Sequence, residues 1–176
     1  TENGNTVASN VVTEATGAAI STTTTKGLWP IEPAATQLVT PTASIRDMTD
    51  ASWTLGATLT RARTSVGADG VANSATRLTA GAVAATNIIT QTLTAAASSR
   101  TYSCYIKRIT GTGPVTLTQD NFVGGTDISG SLIANEWVLV SFNANILNAV
   151  YGIKVSTDTD AIDVDFNQFE AGAVAT

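Results

Sequence analysis

Histidine is absent from this 176-residue chain. Its absence removes Ser-His-Asp and Cys-His nucleophile pairs, the commonest general base, and the usual zinc and haem ligands. Cysteine occurs once, as Cys104, so no intrachain disulfide can form and no redox compartment follows from cysteine usage. Charged residues make up only 13% of the sequence, with 9 Lys and Arg against 14 Asp and Glu, for a formal net charge of −5. The few basic residues are scattered, which argues against nucleic acid as a partner. No apolar run approaches the roughly 20 residues of a membrane-spanning helix, so membrane insertion is not expected. Residues 1–20 lack the basic start and continuous apolar run of a secretion signal. Catalysis is not expected of such a chain.

Threonine and alanine dominate what is there, at about a third of all residues. Three zones separate by composition. Residues 1–27 are rich in Thr, Ala, Gly and Asn, with the low-complexity run Thr22–Thr25, and read as an extended arm. Residues 28–50 hold three of the four prolines and read as an extended segment packing on the body, because proline disfavours helix. Residues 51–176 carry short β-like runs separated by Gly, Asn, Asp and Ser.

Those runs are 53–61, 75–79, 87–93, 101–109, 115–119, 136–142, 150–156 and 161–169. In 53–61, Leu55, Ala57 and Leu59 alternate with Thr54, Thr58 and Thr60. In 101–109, Cys104 and Ile106 are expected inward, with Ser103, Tyr105 and Lys107 outward. Eight or so strands with turn signals between them predict an all-β fold, an antiparallel β-sandwich of jelly-roll type behind an extended N-terminal arm. A hydroxyl-bearing β-branched residue such as Thr suits the solvated face of a sheet.

A series of segments carries a family resemblance. Gly27-Leu-Trp-Pro-Ile-Glu32-Pro-Ala-Ala-Thr36-Gln-Leu38 resembles a segment found in bacteriophage tail-fibre and virion structural proteins, although Trp29-Pro30 and Gln37 depart from its usual residues. Asp50-Ala-Ser-Trp53-Thr, Gly70 to Thr79, Thr101 to Arg108, Glu136-Trp137-Val-Leu-Val-Ser141 and Asp163 to Gly172 follow in the family's order. The resemblance implies a jelly-roll module similar to carbohydrate-binding modules, located in a virion. It also implies other virion proteins as partners and a homo-oligomer, with a trimer favoured. Assembly with other virion subunits is the function it implies first, and recognition of a host surface glycan is the alternative.

A sugar ring stacks its C–H face on a flat aromatic while amides and carboxylates take its hydroxyls. Tyr105, Trp137, Tyr151 and Trp53 are therefore the candidate glycan-contact residues, against the reading that strand aromatics belong to the core. Gln168 and Glu170 lie two apart, on the face alternation shares with Ile162, Val164 and Phe166. They are read as structural ties, as is Glu32. Asp163 and Asp165 share a face with Asn167 and are expected to be exposed. Asp158 and Asp160 are the candidate metal ligands for a structural calcium, set against a plain solvated hairpin tip; no other cofactor is expected. Cys104 is expected to be a buried small hydrophobe. Arg61, Arg63, Arg77, Arg100 and Arg108 are expected at solvated strand ends.

Overall fold

The computed structural model describes residues 37–172, so the arm 1–27, Trp29 and Glu32 lie outside the described residues. The described part falls within one compact unit spanning residues 34–176. Its strands are β1 (Thr54–Leu55), β2 (Thr60–Ser65), β3 (Ala75–Thr79), β4 (Ile88–Thr92), β5 (Ser98–Thr110), β6 (Val115–Thr118), β7 (Thr126–Asp127), β8 (Trp137–Ile146), β9 (Val150–Val155) and β10 (Ala161–Ala171). They form two five-stranded sheets, ordered β1-β4-β9-β6-β7 and β2-β3-β10-β5-β8. Every pairing between these strands is antiparallel. The all-β sandwich expected from the sequence is the fold observed.

Alternation explains how the sheets face each other. Along β5, Tyr102, Cys104 and Ile106 are fully buried, and Ile89, Leu117 and Ile153 meet them from the other sheet. Tyr105 and Lys107 stand half-buried on the outer face; Ser103, outward as well, is covered over. Four aromatic rings concentrate the core. Tyr151 stacks on Phe169 with centroids 4.1 Å apart and meets Trp53 edge-on at 5.8 Å and Tyr102 at 5.4 Å. Each polar tip is satisfied, as burial demands. Tyr102 Oη donates to Asn167 Oδ1 at 2.9 Å, Tyr151 Oη to Gln91 Oε1, and Trp53 Nε1 to the Ser44 carbonyl at 3.1 Å. The Trp53 bond also ties down the segment before β1, where Val39 and Met48 enter the core. A short 3-10 turn, Thr42–Ile45, interrupts the extended path expected there.

Three expectations are corrected. The run 53–61 is not one strand: β1 lies at the end of one sheet and β2 at the end of the other. The chain crosses over at Gly56, where any side chain would collide with the Thr86 carbonyl. Leu55 and Leu59 consequently part company, Leu55 being 36% exposed and Leu59 3%.

The second correction concerns β10. Asp165 pairs with Tyr105 but Gln168 pairs with Ser103, so three steps along β10 match two along β5. Phe166, with φ of 49°, is the extra residue of this bulge. The bulge resets alternation. Gln168 and Glu170 therefore leave the face of Ile162 and Val164, and Phe169 takes the core position instead.

The third correction concerns charge. Asp163 and Asp165 are not exposed; they are 1% and 0% exposed. Asp163 is held by Arg77, by Ser65 Oγ at 2.7 Å and by Lys107 Nζ at 3.5 Å. Arg100 and Arg108 are buried too, because the guanidinium fork satisfies loop carbonyls at the ends of the sandwich. Arg100 donates to the carbonyls of Ile146 (3.0 Å) and Ala96 (2.8 Å), and Arg108 to that of Gly113 (3.0 Å). Arg61 likewise donates to the carbonyls of Met48 and Trp53. Among the five, Arg63 fits the expected solvated position, paired with Asp47 at 3.1 Å.

Candidate functional site

The outer face of the second sheet carries a groove of about 420 Å³, lined by Ala68, Asp69, Tyr105, Phe166 and Gln168. Two devices build it. The bulge turns Phe166 outward beside Tyr105, ring edge to face with centroids 6.2 Å apart. The β2–β3 loop, residues 66–74, then folds over the same face and brings Ala68 and Asp69 to the groove wall.

Arg46 locks loop and bulge together. Its Nε donates to Asp165 Oδ1 at 2.9 Å, and its Nη2 donates to Asp165 Oδ2 and Ser74 Oγ, each at 2.8 Å. The same guanidinium grips both oxygens of Asp69 at 2.8 Å and lies 4.1 Å from the centroid of the Phe166 ring. Asp165 also accepts the N–H groups of Ala68 (3.0 Å) and Phe166 (2.9 Å). Gly67 leaves room for this cluster, because a side chain there would press on the ends of Ser74, Asp165 and Arg46. Hydrogen bonds from Arg46, and then from the Val71 N–H, hold the Asp69 carboxyl below the usual carboxylate range. The bonds to Asp165 and Asp69 raise Arg46 in turn. The groove thus joins two aromatic walls to an ionised carboxylate and the Gln168 amide.

The four candidate aromatics divide. Tyr105 lines the groove. Trp137, half-buried, stands farther along the same face opposite Lys107, whose Nζ lies 4.8 Å from the centroid of its ring and covers one side. Trp53 and Tyr151 are enclosed in the core at 2% and 0% exposure, so as surface platforms they are corrected to core residues. The packing of the two sheets requires their bulk.

Gln168, read from the sequence as a structural tie, lines the groove. Glu170 is buried, opposite Thr101 in register and bridged to Gln37. Asp158 is exposed in the β9–β10 turn, whereas Asp160 is buried, accepting the Gly113 N–H at 2.8 Å with Arg108 at 3.7 Å. Among the described residues no three His, Cys, Asp or Glu side chains converge as a metal site.

Sequence reading missed Asp69, Phe166 and Arg46. One signal was present: Phe166 and Phe169, three apart, cannot both follow Ile162 and Val164 on one face of an unbroken strand. The position of Asp69 over β10 had no local signal.

No family model matches the chain, and no curated protein matches it. Solved structures do. The CBM22-1 xylan-binding domain of Paenibacillus barcinonensis Xyn10C aligns with a TM-score of 0.54 at 14% identity, over 74% of this chain and 92% of that one. The C-terminal family 22 carbohydrate binding module of Clostridium thermocellum Xyn10B, studied for cleft residues in ligand binding, aligns at 0.52 and 14%, over 72% and 89%. The enzymatically active domain of bacteriophage CBA120 tailspike protein 4 aligns at 0.47 and 12%, over 77% of this chain and 21% of that one. The chain therefore has the fold of carbohydrate-binding modules.

Proposed function

We propose that this domain binds a carbohydrate, without catalysis, in the groove of the second sheet. The observation that carries the reading is the convergence of Tyr105 and Phe166 with Asp69 and Gln168 in one open depression. Flat rings suit the C–H face of a sugar, and the carboxylate and amide suit its hydroxyls. The shared fold alone would not establish this, since one fold hosts many functions. The test is calorimetric titration against a panel of plant and bacterial polysaccharides. Tyr105→Ala and Gln168→Ala should each weaken binding at least about tenfold, on the order of 1.4 kcal/mol, with the melting temperature nearly unchanged. Binding that both variants leave intact would refute the groove as the site.

The segments that resemble tail-fibre proteins support a second element of the reading, that the module is displayed on a virion beside other virion proteins and meets a host surface glycan there. Mass spectrometry of purified particles should then detect the chain. Its absence from particles would leave glycan binding standing without the virion.

A further inference from the structure

We propose that a second copy of this chain pairs along β8, antiparallel, extending the second sheet across a two-fold axis. Four strands end the two sheets. β1 and β7 have two residues each, and β2 carries Arg61 and Arg63. Shortness and charge are the means by which sheet edges avoid pairing. β8 has neither protection. Its ten residues, Trp-Val-Leu-Val-Ser-Phe-Asn-Ala-Asn-Ile, include no charge and no proline, and among the described residues β5 is its one strand neighbour. The core is also unfinished along this side. Val138, Phe142 and Ile146 pack against it only partly buried, and Leu139, on the outer face, is 51% exposed.

The chemistry of the edge selects the occupant. A charged strand would find no complementary charge on β8. An uncharged strand with apolar residues at every second position fits, and β8 is itself such a strand. Two-fold antiparallel pairing in a register that sets Val140 opposite Phe142 places inner row beside inner row and continues the core across the seam. The net charge of −5 does not oppose this locally, because no acidic residue lies within the strand. The contact strip is about 33 Å long and about 10 Å deep, small beside a standard interface. Association is therefore concentration-dependent.

Sedimentation equilibrium of the full chain across about a thousandfold range of concentration tests the proposal, with amide hydrogen exchange measured at both ends of that range. The expected mass rises from one chain to two, and β8 amides gain protection as it does. Ser141→Lys, an exposed mid-strand change that leaves the core alone, should weaken association at least about tenfold. Val66→Lys, also exposed but away from β8, should leave it unchanged. Four results would overturn the proposal: one chain at every concentration, a mass of three chains (the state the tail-fibre resemblance implies, from which this dimer departs), an association indifferent to Ser141→Lys, or β8 protection independent of concentration. The last would mean that another part of the same chain covers the strand.

Discussion

Cys104 sits fully enclosed on β5 between Tyr102 and Ile106. Burial pushes its thiol from 9.0 up to about 12. Burial raises the Tyr102 and Tyr151 hydroxyls as well. The sign of the linkage follows. Above pH 9 the unfolded thiol gives up its proton while the folded one keeps it, so the unfolded state gains as pH rises. Stability should therefore fall as pH rises from about 9 toward 12 on account of this thiol, with the tyrosines adding above their ordinary 10.0. Urea unfolding at about pH 8, 9.5 and 10.5, from below the ordinary thiol pKa of 9.0 to above it, should show stability falling, and Cys104→Ala should flatten the slope. A stability indifferent to pH across the window would contradict this account. The inward position of Cys104 was legible from the alternation of its strand. The inward position of Trp53 was not, because it depends on where the chain leaves one sheet for the other.

At the level of elements, the β10 bulge and the β2–β3 loop stand or fall with Arg46. Asp165 is fully buried, and Arg46 supplies its charge balance. Arg46→Ala leaves Asp165 with two backbone N–H donors and no cation, and breaking a buried pair in this way costs about 3–5 kcal/mol. The exposed arm of the cluster, Arg46 to Asp69, adds little to that figure. Chemical denaturation should show the loss, and the glycan affinity proposed for the groove should drop with it as the loop loosens. A loss under about 1 kcal/mol, the worth of a surface pair, would show that the ion pair does not organise the groove. Strands were readable where alternation ran unbroken: the run 75–79 coincides with β3, and 150–156 with β9 to within one residue. Where one extra residue changed the phase, as at Phe166, alternation gave the wrong face for everything after it. Asp163 and Asp165 looked solvent-facing for the same reason that they are buried: they do point outward, but Arg77, Lys107 and Arg46 close over them.

For the whole molecule, the sandwich was legible because patterning and turns recur along the chain. The groove was not, since Asp69, Tyr105 and Gln168 come from three distant segments that only the finished sheet brings together. The strand order carries a further consequence. β10, the last strand of the domain, lies in the middle of its sheet and is hydrogen-bonded to β3 on one side and β5 on the other. On the ribosome, β3 and β5 emerge long before the strand that joins them, and half of the groove floor arrives with it. The second sheet cannot close until residues near 171 clear the exit tunnel, so its closure waits for the whole of this domain to emerge. Until then the edges of β3 and β5 that β10 will join stay open.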